Sequence, residues 1–331
     1  MQSLPQGPTF VAEFTTNHMG NLNVLMCMVE RAAWAGADFI KMQKKDVETF
    51  YSKEKLDAPF LSAYGKTYRD YRRVFEFDDD DFKRFDAKCK AHNIRWFSTV
   101  QDLPSLHFML KYDLPAYKVA SSNARNHALL SAIQQNIPRD KTLVISVAGC
   151  SLDEIETSLN QFPHHKIWLL HCVAQYPCPH ERLRLGNIAI LRKHFADDRI
   201  TIGYSGHEEG IAPSLAAIDL GAEVVERHFC LSRHSFVHHI ECSLEPGELR
   251  ELVGRVREGR RVGEGCAGLP REALTAAFGM SDREKKFLVE QTYGTKFVGD
   301  ASAFGANDVT PAVGHLASTG GLGSNKKPMA A

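Results

Sequence analysis

Short apolar or β-branched runs recur along the chain, each followed by a longer stretch in which apolar positions return every three or four residues. The runs are TFVAEFT (9–15), FIKMQ (39–43), RWFSTV (95–100), AYKVAS (116–121), TLVISV (142–147), KIWLLHC (166–172), TIGYS (201–205) and VVERHF (224–229). Runs this short, bounded by turn residues, predict buried strands. The intervening patterns predict helices near 22–35, 78–92, 103–112, 126–135, 152–161, 182–195, 210–220 and 246–260. SLDEIE (151–156) is a strong helix start, with Ser151 as cap and acids in the first turn.

Eight strand–helix alternations predict an α/β fold, a closed (β/α)₈ TIM barrel. The competing doubly wound sheet would carry a glycine-rich phosphate loop after its first strand. TNHMGN stands there instead. Two regions break the alternation. Residues 44–76 read as a long loop rich in Lys, Tyr and Asp, a length that suits a lid or substrate wall. Residues 281–331 follow the barrel domain (1–280) as a short C-terminal extension, whose end, from about 312, has the Gly/Ala/Ser/Lys composition of a disordered tail.

Composition narrows the class. The chain has 331 residues, 44% hydrophobic and 24% charged, with a formal net charge of +0. That balance suits a soluble globular protein and gives no global attraction to nucleic acid or to an acidic membrane. No apolar run approaches a membrane span, and MQSLPQGPTF has no secretory character. Eight scattered cysteines without a CxxC pair read as reduced, mostly buried thiols in a cytoplasmic protein.

In a barrel of this kind chemistry sits at the C-terminal ends of the strands. Glu13, Asn17 and His18 lie at the end of the first run, Lys41 and Gln43 on one face of the second, and Ser98 and Thr99 at the end of the third. Lys118 and Ser121 follow, then Ser146, then Gln175 and Tyr176, then Ser205 with His207 just beyond, then Glu226 and His228 on one face. Each has a plain reading: a strand lysine pairs with a carboxylate, a serine caps a helix, a lone histidine packs in the core. Their convergence on one rim favours a ligand, because burying so many unpaired polar groups is costly. Lysines and hydroxyls suit a phosphate or carboxylate. The two carboxylates suit acid–base work. His207 and His228 suit an open Mn, Fe or Zn site.

The stretches AEFTTNHMGN, GADFIKMQKKD, YGKTYRDYRRVFEF, FSTVQD, AYKVASSN, VISVAG, LLHCVAQYPCP, IGYSGHEEG, GAEVVERHF and CSLEP occur in order between residue 9 and about residue 262. In these the chain resembles the N-acetylneuraminate (sialic acid) synthase family. The resemblance implies a (β/α)₈ barrel that condenses phosphoenolpyruvate with an aldehyde sugar such as N-acetylmannosamine, releasing phosphate. It also implies a divalent metal, usually manganese, with magnesium, cobalt and zinc as further candidates. Carried across, it makes Glu13, Lys41, Lys118 and Glu226 the catalytic set. Gln43, Thr99, Ser121, Ser146, Tyr176, Ser205 and His239 become substrate-binding residues, and His207 and His228 metal ligands. The partners implied are the two small molecules and, from family habit, a second copy of the chain.

The chain departs from the family pattern at several points. The family's SDH is SGH here, with Gly206 for the acid. His239 stands for a sugar-contacting aspartate, Asn123 for a glutamate, and Ala174 for a polar residue near phosphoenolpyruvate. The antifreeze-like domain that usually follows the barrel is not recognisable in residues 281–331. These changes point to an acceptor other than N-acetylmannosamine, and His239 adds a third imidazole beside the metal pair. Two other readings keep the barrel: an aldolase or lyase using a Schiff-base lysine at Lys118 or Lys41, or a ligand-binding barrel that has lost turnover.

Overall fold

A computed structural model describes residues 7–259 and 265–285, together with Leu288, Thr310 and Pro311. Eight parallel strands close into a barrel: β1 (Thr9–Glu13), β2 (Phe39–Lys44), β3 (Arg95–Val100), β4 (Ala116–Val119), β5 (Thr142–Ser146), β6 (Lys166–His171), β7 (Ile200–Gly206) and β8 (Val224–His228). Neighbours in sequence are neighbours in the sheet, and β8 closes on β1 with Glu13 opposite His228. A helix follows each strand on the outside, as the (β/α)₈ pattern requires. Local chemistry sets their starts. Asn21 caps Leu22–Ala35, and Asp78 and Ser151 form capping boxes with Asp81 and Glu154.

The barrel interior is built in layers. Val11, Phe39, Phe97, Ala116, Val144, Leu170 and Val224 form one buried apolar cluster, with Trp168 packed against it. Side chains two positions apart on a strand share a face. The next interior layer is therefore fixed at Glu13, Lys41, Thr99, Lys118, Ser146, Cys172 and Glu226, all buried. An apolar plug thus carries a polar layer directly above it, at the C-terminal end.

The reading of 44–76 as a loop is corrected by the structure. The segment folds into helices Val47–Phe50, Lys53–Asp57 and Tyr68–Val74 and a hairpin of Pro59–Ser62 with Gly65–Thr67. Asp46, Ser52 and Thr67 cap the three helices. Tyr68 sits at the centre of an aromatic cluster, with ring centroids 5.2 Å from Tyr51, 5.6 Å from Phe60 and 6.0 Å from Tyr71. Elements of four to seven residues are too short to show an amphipathic stripe.

The first described part of the C-terminal extension packs on the barrel rim. Met280 and Leu288 meet Ala148, Cys172 and Ala174 in a small apolar cluster. The tail expected to be disordered from about 312 lies outside the described residues. All eight cysteines are unpaired, and six of them are buried.

Gly203 lies on β7 level with the plug, in register with Leu170 and Val224. A Cβ there would meet Leu170 Cδ2 at 2.5 Å and the Val224 carbonyl oxygen at 2.6 Å. Gly203→Val is expected to destabilise the barrel by about 2 kcal/mol or more through overpacking, read as a lower thermal unfolding midpoint.

Candidate functional site

The polar layer is held by charge compensation. Glu226 Oε1 accepts from Lys118 Nζ at 2.5 Å and from Ser205 Oγ at 3.0 Å, and lies 3.1 Å from Lys41 Nζ. Lys41 Nζ also pairs with Glu13 Oε2 at 2.9 Å. Glu13 Oε1 accepts from Gln43 Nε2 at 2.7 Å and from the Thr15 backbone N–H at 3.1 Å. The strand ends that the sequence pattern assembled are therefore one connected network.

The two carboxylates are driven apart. Burial raises the Glu13 carboxyl above its usual range; Lys41 opposes this and the Glu226 charge adds to it. At Glu226 burial also pushes upward, but Lys118 and Lys41 together overcome it and hold the carboxyl low. Burial likewise works against the Lys41 cation, and the two carboxylates outweigh it so that its affinity for the proton rises. Lys118 differs: burial, together with the nearby Lys41 charge, brings it down to about 8 despite Glu226. Two neighbouring carboxyls pushed in opposite directions are the usual signature of divided acid–base roles.

Several buried groups in or beside this layer have no hydrogen-bond partner among the described residues: Thr99 Oγ1, Ser146 Oγ, Glu226 Oε2 and His228 Nδ1. Folded proteins leave few such groups. Two unpartnered hydroxyls and two lysine heads in one buried layer are donors that suit an anion.

His207 and His228 stand at the rim with ring centroids 5.4 Å apart and planes at 89°. His207 Nδ1 lies 2.8 Å from the Val173 carbonyl oxygen, so this nitrogen carries the proton and Nε2 keeps a free lone pair. Burial lowers His207 to about 3 and His228 well below its usual value, so both rings stay neutral. Neutral, buried and facing imidazoles, one with an unpartnered nitrogen, fit a divalent metal. His239 does not complete a triad. The Tyr176 ring stands in contact with both, at 4.0 Å from His207 and 4.3 Å from His239, and among the described residues no three metal-ligating side chains converge.

Tyr176 and His239, with Gln43 and Ser121, line a cavity of about 340 Å³ above the polar layer. The folded 44–76 segment supplies its wall through Lys45, Phe50, Phe60, Tyr68 and Arg72. Two rim residues are structural: Asn17 Nδ2 donates to the Phe229 carbonyl and Ser243 Oγ, tying β1 to the loop after β8, and His18 packs on Phe77. Asn123 turns away to bond Gln101.

Sequence reasoning missed three features. Lys45 and Arg72 lay in the supposed loop. Glu284, fully buried, reaches the rim from the extension, accepting from Arg184 Nη2 at 2.6 Å and from the Ala174 N–H at 3.3 Å. The third explains Gly206. Glu208, fully buried, pairs with Arg227 Nη1 at 2.8 Å and accepts from Tyr204 O–H at 2.6 Å. A Cβ at Gly206 would stand 2.6 and 2.7 Å from the two Glu208 carboxylate oxygens. The Glu208 carboxylate occupies the space that a side chain at 206 would need. The run SGHEEG held that signal, in an acid two places after the glycine.

The fold and this rim define a (β/α)₈ barrel whose strand ends carry a buried lysine–carboxylate network beside two facing, buried histidines. A model of the NeuB family matches residues 28–265. The chain belongs to that family, whose members are sialic acid synthase-like enzymes. It is 35% identical over 249 residues to N-acetylneuraminate-9-phosphate synthase of Drosophila melanogaster, a match covering 73% of this chain and 65% of the fly protein, just under two thirds of its length. It is 32% identical over 256 residues to N,N'-diacetyllegionaminic acid synthase of Campylobacter jejuni, covering 75% of each. Among solved structures, the N-acetylneuraminic acid synthetase of Leptospira borgpetersenii, in complex with citrate, superposes with a TM-score of 0.68 at 26% identity, covering 88% of this chain and 95% of that one.

Two expectations follow from the geometry. Burial holds Lys118 near 8 in the folded chain. Sulfate, whose own charge is constant there, should bind progressively more weakly above that pH, by up to roughly tenfold per unit, measured by titration calorimetry. The unfolded lysine keeps its proton to higher pH, so the unfolded chain binds more protons above about 8, and this group's contribution makes stability rise with pH in that window. Separately, Gly206→Asp crowds a second acid onto Arg227 and should cost roughly 3 kcal/mol. Adding Glu208→Ala should recover most of that loss in denaturant titrations, a coupling that unrelated sites would not show.

Proposed function

We propose that this chain condenses phosphoenolpyruvate with an aldehyde sugar to give a 3-deoxy-2-keto acid of the nonulosonic type, with release of phosphate. The observation that carries this reading is the polar layer itself. Two lysines share the ionised Glu226, and two unpartnered hydroxyls belong to the same buried layer. Family membership and the synthase names of the relatives support the same reaction class.

In this reading Lys41 and Lys118, with Thr99, Ser146, Ser121 and Ser205, bind the carboxylate and phosphate of phosphoenolpyruvate. An arriving anion takes over part of the lysine charge now held by Glu226. His207 and His228 hold a divalent metal, manganese by preference, which when bound polarises the aldehyde oxygen. Gln43 and Tyr176 line the acceptor's cavity. Carbon 3 of phosphoenolpyruvate attacks the aldehyde carbon, forming the new C–C bond and leaving carbon 2 electron-poor. Water adds to carbon 2, and the bond from carbon 2 to the phosphate oxygen breaks. Glu13, whose hold on a proton burial strengthens, delivers a proton to the new hydroxyl, and Glu226 receives one from the water. The chamber is closed below by the apolar plug, so the electron-poor carbon meets water only from the rim. The setting proposed is cytoplasmic; no described helix is long and apolar enough to cross a membrane.

A Schiff-base lyase is favoured by one observation, the lowering of Lys118 to about 8. The two readings separate in one experiment. With manganese and a panel of aldehyde sugars, the synthase should release inorganic phosphate from phosphoenolpyruvate. His207→Ala with His228→Ala should lower the rate by about 10³-fold or more. Borohydride should trap no adduct. A trapped Lys118 adduct without phosphate release would establish the lyase, and manganese binding that survived both histidine changes would displace the metal assignment.

A further inference from the structure

We propose that Glu284 is a positioning residue for His207, acting through the peptide unit that joins Val173 to Ala174. This rests on the reading of His207 as a metal ligand, and it draws one residue of the C-terminal extension into the barrel's site.

A single peptide unit carries both contacts. Its carbonyl oxygen, that of Val173, accepts from His207 Nδ1 at 2.8 Å. Its N–H, that of Ala174, donates to Glu284 Oε1 at 3.3 Å. A trans peptide is planar, with its N–H and C=O pointing opposite ways. A carboxylate on one side and an imidazole on the other therefore fix the same plane. Carboxylate, peptide and imidazole form a chain of hydrogen bonds in which each polarises the next. The negative end makes the Val173 carbonyl a stronger acceptor, and a stronger acceptor holds the ring proton on Nδ1. Nε2 then keeps its lone pair. Metal-binding histidines are commonly set by a carboxylate that touches the ring itself; here a peptide stands between the two.

Glu284 is held in place for this. It is fully buried, and its two oxygens have separate partners. Oε2 accepts from Arg184 Nη2 at 2.6 Å and from the Ser281 N–H and hydroxyl at 3.0 and 2.9 Å. Those contacts make a capping box of SDRE (281–284) and an ion pair, and they account for Oε2 alone. Oε1 faces the Ala174 N–H. Arg184 takes a left-handed backbone, φ 50°, which a residue with a side chain adopts at a cost. Its Nη1 donates to the Gly279 carbonyl at 3.0 Å, so one guanidinium grips both ends of residues 279–284. Gln175 Nε2 reaches Ser281 Oγ at 3.3 Å, and Met280 shares an apolar cluster with Ala174. Ala174 is 1% exposed, so without Glu284 its N–H would be buried and unpaired. The peptide would then gain by turning, and turning takes the Val173 carbonyl away from His207.

The test uses the full chain with Glu284→Ala, Glu284→Gln and Ser281→Ala. Imidazole nitrogen NMR without metal reads the His207 tautomer, and titration calorimetry reads manganese affinity. The wild type should show the Nδ1–H form alone. Glu284→Ala should add signals of the Nε2–H form and lower manganese affinity about tenfold. Glu284→Gln keeps an acceptor for the Ala174 N–H without the charge, so it should add a smaller share of that form and lower affinity about threefold. Ser281→Ala, which loosens the cap, should lower the thermal midpoint and leave the tautomer as in the wild type. An Nε2–H form in the wild type, or an unmixed tautomer in every Glu284 variant that folds, overturns the proposal. So does a Ser281→Ala chain whose tautomers mix as much as those of Glu284→Ala, since Glu284 would then only anchor the extension. If the wild type binds manganese and the Glu284 variants bind it equally well, the proposal also fails. If the wild type binds no manganese but the tautomer responds to Glu284, the metal reading fails and the positioning of His207 stands.

Discussion

A strand in a closed barrel has no free choice about what lies above its core residues. Whatever stands two positions beyond an interior side chain must also face the interior. Here that rule places Glu13, Lys41, Thr99, Lys118, Ser146, Cys172 and Glu226 directly on the plug of Val11, Phe39, Phe97, Ala116, Val144, Leu170 and Val224. The plug supplies the low-dielectric floor that makes each charge above it expensive. The charges must therefore satisfy one another or await a ligand. The rim, the two facing histidines and the cavity lined by Gln43 and Tyr176 all take their positions from that layer.

Its electrostatics are unequal by construction. One carboxylate, Glu226, serves two lysines, while burial raises the second, Glu13, which pairs with Lys41 alone. The layer depends on Glu226 lying within reach of both cations. Removing Glu226 would leave the buried Lys118 ammonium without its counter-charge and Lys41 with Glu13 alone, a more serious loss than removing either lysine. Binding of an anion and stability of the floor are two aspects of the same balance.

Much of this was legible in the sequence. Strand positions came from short β-branched runs, and interior residues from their period. Lys41 with Gln43, or Glu226 with His228, could be assigned to one face without any coordinates. Features that depend on contact between distant segments were not legible. Lys45 and Arg72 belong to elements too short to carry a periodic pattern, and their convergence arises from an aromatic cluster spread over residues 50–75. Glu284 meets the Ala174 N–H across 110 residues of chain. The separation of His239 from the histidine pair depends on one aromatic ring, Tyr176, in contact with both, which spacing alone cannot show.

The buried pairing of Glu208 with Arg227 beside Gly206 has a consequence for how such chains diverge. Arg227 Nη1 also donates to the Gly210 carbonyl and Ser214 Oγ, so its position is set independently of which residue supplies the acid. One guanidinium can accept an acid from either of two neighbouring positions, but the space admits only one. A lineage passing from one arrangement to the other must cross a form with two acids in that space, or with none. Positions 206, 208 and 227 therefore cannot drift separately. They evolve as a single inherited character, and a sequence carrying an acid at 206 should be found to have given up the one at 208.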